Sequence, residues 1–119
     1  MNRQELMERI KQFANRGVKL ALALPANALG RHIRSQLIRC STSAAANYRA
    51  ACVAQSRAAF VAKLSIVIEE VDESCFWMEF ITDEGLLTKR RVAPLLGEGK
   101  ELTSIFIAAG HTTRSNSKS

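Results

Sequence analysis

The chain has 119 residues, 47% of them apolar, with only six glycines and two prolines, so it is one domain with room for one hydrophobic core and too few turn-formers for a β-sandwich or barrel. Its net charge of +6 is segregated: ten Lys or Arg and no acid lie between Glu8 and Glu69, whereas Glu69 to Glu84 holds seven acids and no base. A chain polarised in this way attracts a polyanion, pairs its own elements, or does both.

A first helix is expected over residues 3–24. Leu6, Ile10, Phe13, Gly17, Leu20 and Leu24 recur at three- and four-residue steps as one apolar stripe, which Pro25 and Gly30 end. The run from Leu20 to Leu24 is too short to span a bilayer. Ala26-Asn27-Ala28 mimics a leader cleavage site, but Glu5 and Glu8 occupy the region a leader keeps basic, so a cytoplasmic location and no membrane partner are expected.

The second helix is expected over 31–55. Ile33, Leu37, Cys40, Ala44 and Ala51 make its apolar stripe, and Arg31, Arg34 and Arg49 fall opposite it. Ser56 is a natural N-cap for a third helix over 57–82. Here Phe60, Leu64, Val67, Val71, Cys75 and Met78 line one face, and Ile66, Trp77 and Phe80 line a second, with Glu69, Glu70 and Glu73 between. A helix that is apolar on two sides usually has a second partner, so Ile66, Trp77 and Phe80 are read as an oligomer interface; the competing reading is one wide stripe in a tightly packed monomer. The fourth helix, over 94–109, places Pro94 in its first turn and carries Leu95, Leu102, Ile105, Phe106 and Ala109. Residues 111–119 are polar and read as a disordered tail. The whole is all-α: an up-down-up-down antiparallel four-helix bundle over residues 1–110.

Gln36, Arg39, Ser43 and Asn47 stand on one helical stripe at the core boundary, with Glu70 and Glu73 as candidate partners on the third helix. The structural reading is a polar network that fixes helix register; the functional one is a ligand or catalytic site. The structural reading is preferred, because ionic clusters of this kind specify geometry more than they add stability. Cys40, Cys52 and Cys75 form no CxxC, and His32 and His111 join no Glu-x-x-His pair, so no metal or other cofactor is expected. No nucleophile motif or phosphate-cradling loop is present, and no catalytic residue is assigned.

The remaining cations form two groups, Arg31, Arg34, Arg49 and Arg57, and then Lys89, Arg90 and Arg91. Both are candidates for binding nucleic-acid phosphates. Tyr48, beside Arg49, is the one candidate for stacking on a base.

Gln36-Leu37-Ile38-Arg39, Ser43 and Asn47-Tyr48-Arg49-Ala50-Ala51 resemble the signature of the four-helix-bundle proteins of the 23S rRNA intervening-sequence family. Ser56-Arg57-Ala58-Ala59-Phe60, Lys63-Leu64, Glu70-Val71-Asp72-Glu73-Ser74, Trp77 and Glu101-Leu102-Thr103 continue the resemblance through the last helix. It implies a bacterial up-down bundle that forms a ring, commonly a homopentamer, with no established chemistry. A related branch comprises accessory variability proteins of diversity-generating retroelements, in which a basic ring surface meets nucleic acid and a reverse transcriptase. Many members read Asn-Ile-Ala-Glu-Gly where this chain has Asn47 to Ala51; the exchange removes an acid and adds Arg49. The expectation is a non-enzymatic homo-oligomer that binds RNA or DNA through a basic surface, as a platform for a nucleic-acid enzyme. The alternative is a protein-interaction scaffold whose arginines meet carboxylates of neighbouring subunits.

Overall fold

The computed structural model describes residues 1–118, with side chains as far as Ser115. Four helices order the chain: α1 (Arg3–Leu22), α2 (Ala28–Cys52), α3 (Arg57–Asp83) and α4 (Lys89–Lys118). Each starts where a short polar side chain replaces a missing turn. Asn2 Oδ1 accepts the Glu5 N–H at 2.8 Å, Asn27 Oδ1 the Gly30 N–H at 2.8 Å, Ser56 Oγ the Ala59 N–H at 3.0 Å and Thr88 Oγ1 the Arg91 N–H at 3.3 Å. Ser56 is the cap the sequence identifies.

The other caps move the expected boundaries. Gly30 does not separate α1 from α2; it lies inside α2, because a side chain there would run into the Pro25 carbonyl. Asn27 therefore starts α2 three residues earlier than expected, and α2 ends at Cys52 instead of 55. Gly85 stops α3 in the left-handed region, at φ +66°. Its N–H bonds the Thr82 carbonyl, and the Leu86 N–H bonds that of Ile81, each at 3.0 Å, which together make a Schellman closure.

α4 departs most from expectation. Thr88 starts it at Lys89, which puts Pro94 in the second turn, exposed to water. There the ring forfeits one bond, to the Arg90 carbonyl, on the solvent side of the helix. At the other end the helix continues through Lys118 where a disordered tail is expected from 111; Ser119 lies outside the described residues. Contact with α3 sustains the extension. Gly110 is buried close to Leu64, and Ile107, Gly110 and Arg114 share a groove with Val61 and Ser65.

Consecutive helices pack antiparallel into a rod of 52 × 21 × 19 Å. The apolar stripes read from the sequence meet along its axis, and Tyr48, Ile81 and Ala21 join them. α1 leans mainly on α2 and α4 mainly on α3, so the α1–α4 seam is the thinnest contact between neighbours. Gly99 sits at that junction: a Cβ there would stand 2.7 Å from Cys75 Sγ and 3.1 Å from Phe13 Cε1. Gly97, two residues earlier, faces open space. The two glycines therefore answer alanine with opposite signs. Gly99→Ala should cost about 1–3 kcal/mol by overpacking, and Gly97→Ala should gain up to about 1 kcal/mol of helix propensity. Urea unfolding of the two variants checks this.

Candidate nucleic-acid interface

A helix turns about 100° per residue, so the run Lys89-Arg90-Arg91 cannot act as one patch. Lys89 borders a groove with Glu79 and Asp83 of α3, whereas Arg91 borders another with Arg16 and Lys19 of α1. The second-helix arginines are divided as well. Arg31 and Arg49 are separated by about 27 Å of helix. Arg31 and Arg34 stand at the bundle end that also holds the C-terminus of α1 and the start of α4; Arg49 and Arg57 stand at the opposite end. The first pair is tied down locally. Arg31 Nη1 donates to the Ala26 carbonyl and Arg34 Nη2 to the Leu24 carbonyl, both at 2.8 Å, so they close the α1–α2 turn while keeping their charge. Arg34 is half-buried, and its Nε has no hydrogen-bond partner among the described residues.

The seven sequence candidates thus resolve into Arg31, Arg34, Lys89, Arg90 and Arg91 at one end and Arg49 and Arg57 at the other. Arg16 and Lys19 were not assigned from sequence, yet the fold places them with the larger set. Their signal was the acid-free run that contains them. None of Arg16, Lys19, Arg31, Lys89, Arg90 and Arg91 makes an ion pair with a carboxylate among the described residues. The diagonal corner, at the end of α3, carries Glu79, Asp83 and Glu84.

Tyr48 is not a stacking platform. It is 2% exposed and packs on Phe106, with ring centroids 5.1 Å apart. Burial, and then the Cys52 thiol beside it, hold its phenol above the ordinary tyrosine range.

The polar stripe on α2 separates into two units. Arg39 donates to Gln36 Oε1, to Glu70 at 3.2 Å and to Glu73, and Glu73 also accepts from Trp77 Nε1 at 3.1 Å. Asn47 Nδ2 instead bonds the Ser43 carbonyl at 2.9 Å and Ser43 Oγ at 3.1 Å. The Arg39 cluster is closed on itself, with each carboxylate engaged, and its arginine is half-exposed rather than buried. It has the form of a clasp between α2 and α3.

Sequence reading missed a stronger clasp. Arg9 Nε and Nη2 grip Glu98 in a fork at 2.8 and 2.7 Å, and Nη2 also reaches Glu101 at 3.0 Å. The partners are 89 residues apart, and no local pattern announces them. Hydrogen bonding from Arg9 outweighs burial and holds the Glu98 carboxyl below its ordinary range. A lowered folded-state pKa adds stability that is complete above the ordinary value and is lost as pH falls through the folded value. Glu98→Gln should therefore cost about 1–2 kcal/mol at pH 7. The gap to the parent protein should narrow progressively below pH 4.5, the ordinary value. Urea unfolding of both proteins between neutral and acid pH measures it.

On the outer side of α3, Phe76 is 52% exposed and Ile66 is also exposed, while Trp77 and Phe80 are partly buried. The Phe76 and Trp77 rings are 5.0 Å apart, Trp77 and Phe80 6.1 Å, and His32 of α2 stands edge-on to Trp77 at 5.6 Å. Phe76 is the most exposed of these rings and was not singled out from sequence. Cys40 and Cys75 are buried, which pushes both thiols up to about 11 and keeps them neutral. Among the described residues no three His, Cys, Asp or Glu side chains converge on a metal position, and no helix is long and apolar enough to cross a membrane.

The family model described as 23S rRNA-intervening sequence protein matches residues 2–108. No curated protein matches the chain. The fold is similar to the crystal structure of a protein of unknown function from the S23 ribosomal protein family of Bacteroides thetaiotaomicron. The TM-score is 0.82 at 29% identity, over 87% of this chain and 96% of that one.

Proposed function

This chain belongs to the 23S rRNA-intervening sequence protein family, and on that footing we propose that it is a non-enzymatic homo-oligomer that binds RNA through the cationic end of its bundle. One observation carries the reading. Arg16, Lys19, Arg31, Lys89, Arg90 and Arg91 stand at the end where α1 ends and α2 and α4 begin, Arg16, Lys19 and Arg91 around one groove, and none of the six makes an ion pair among the described residues. Guanidinium and ammonium groups outside any ion pair, on one end of a rod, attract phosphate. With Tyr48 in the core, recognition is directed at the backbone and carries little sequence preference. The second element is assembly, through the aromatic ledge of Ile66, Phe76, Trp77 and Phe80 on α3. A cytoplasmic pentameric ring that presents its cationic ends to RNA or DNA, and to a client such as a reverse transcriptase, is the fullest form of this reading.

Fluorescence anisotropy with a structured RNA tests it. Three phosphate contacts, from Arg16, Lys19 and Arg91 around one groove, predict a loss of about 40-fold in affinity between 50 and 200 mM salt. Absence of binding at 50 mM salt would remove the nucleic-acid reading and leave a scaffold that contacts only protein.

A further inference from the structure

We propose that the groove between the last turns of α1 and the first turns of α4 is a phosphodiester-backbone site, in which Arg16, Lys19 and Arg91 engage phosphates without reading base sequence. The proposal rests on the RNA-binding reading and locates it on the molecule.

Register along the α1–α4 seam carries the inference. Arg9 faces Glu98 across that seam in a two-bond fork. Seven residues further along α1 is Arg16, and seven residues back along the antiparallel α4 is Arg91. Two helical turns therefore bring Arg16 and Arg91 to the opposed positions that Arg9 and Glu98 occupy earlier. At the first level the seam joins opposite charges. At the second it sets arginine against arginine, with Lys19 beside them, around a groove that also holds Leu20, Pro94 and Leu95. Packing requires no cation at 91; an acid there would repeat the Arg9 clasp and strengthen the thinnest seam of the bundle. Arg91 also lies in the first turn of α4, which contains no acid and where the helix field disfavours positive charge. Arg16 retains an attraction to Glu98 one level along the seam, but no acid lines the groove around Arg91, and a bound polyanion relieves both the like-charge pair and the helix field.

The lining also specifies the ligand. No aromatic ring and no Asn, Gln or Ser borders the groove, so it offers neither a stacking surface nor amide or hydroxyl groups to read base edges. It offers cations around an apolar floor, which suits the charged and sugar parts of a nucleic-acid strand. The ligand class is the RNA backbone, independent of sequence.

The test uses the full chain, a fluorescein-labelled 12-base-pair RNA duplex in two unrelated sequences, and 50 mM salt. Arg91→Glu should raise the thermal unfolding midpoint, because it supplies Arg16 with a partner, and should lower RNA affinity at least tenfold for both sequences. Arg16→Ala with Arg91→Ala should make the slope of log affinity against log salt shallower by about two. Arg49→Glu, at the opposite end, should change affinity less than threefold. If the parent protein binds and the Arg91 and Arg16 variants bind equally well, the groove is not the site, although RNA binding stands. If Arg49→Glu is as damaging as Arg91→Glu, the site is elsewhere. If Arg91→Glu changes the assembled mass, the groove is a subunit contact and the proposal fails. If the parent protein binds neither duplex, both the reading and the site fall.

Discussion

On the proposed assembly, Phe76→Glu should yield a folded monomer. Phe76 is 52% exposed on the outside of α3, in ring contact with Trp77 and Phe80, so it contributes little to the core of its own bundle. A substitution at such a position changes monomer stability by about 0.5 kcal/mol or less. In an interface the same ring would bury apolar area worth about 1.5–3 kcal/mol. Glutamate would lose that burial and place another charge in the contact. Asp72, Glu69, Glu73 and Glu79 already lie nearby on α3, so a partner face must bring cations, and the added acid also changes the balance of charge there. Multi-angle light scattering should give a multiple of the chain mass for the parent and one chain mass for Phe76→Glu, with coincident urea unfolding of the dissociated chains. An unchanged assembled mass would remove the ledge from the interface. A monomeric parent would remove assembly altogether.

The charge segregation that opens the sequence takes a definite form in three dimensions. Because neighbouring helices are antiparallel, the end of α1, the start of α2 and the start of α4 share one end of the rod. That gathers cations from three separate stretches into one region. The acids of α3 lie diagonally across from α1; Arg39 answers Glu70 and Glu73, and Lys100 lies 3.6 Å from Glu79. The molecule thus carries an acidic, aromatic side and a cationic corner. The proposed reading gives the first surface to assembly and the second to RNA, and the light-scattering and salt experiments test the two separately.

Periodicity located the core because burial acts on every third or fourth residue of a helix. Leu6 to Leu24, Ile33 to Ala51 and Phe60 to Met78 are all buried along their predicted stripes. Boundaries were less legible, since they depend on capping and close packing. Gly30 reads as a breaker in sequence but serves as a contact with the Pro25 carbonyl, and Pro94 reads as a start although Thr88 provides the cap. Gly99 is a packing requirement against Cys75 and Phe13, which helix periodicity does not encode. The candidate site was legible as charge but not as geometry. Lys89, Arg90 and Arg91 are adjacent in sequence and diverge in space, while Arg16 and Arg91 are distant in sequence and share a groove. The Arg9–Glu98 fork was illegible for the same reason: helix register across a bundle follows from the packed core, and no short motif encodes it.

Tyr48 supplies the largest stability effect and separates two roles that one residue could have had. Beside Arg49, in an acid-free helix, an aromatic side chain has the sequence context of a base-stacking contact. The fold turns it inward by one helical step. Arg49 is exposed, and Tyr48 sits 2% exposed on Phe106, which is itself fully buried. Tyr48→Ala should leave a cavity between α2 and α4 and cost about 3–5 kcal/mol. That is a large share of the total stability of a domain this size. Tyr48→Phe keeps the ring and removes only the hydroxyl, so it should cost about 1 kcal/mol or less. If Tyr48 acts solely through the core, Tyr48→Phe binds RNA like the parent, and Tyr48→Ala loses affinity only in proportion to its unfolded fraction. A fully folded Tyr48→Ala protein with weakened RNA binding would return the ring to the surface and contradict the packing described above. Equilibrium urea unfolding followed by circular dichroism, with RNA anisotropy on the same samples, decides between the two.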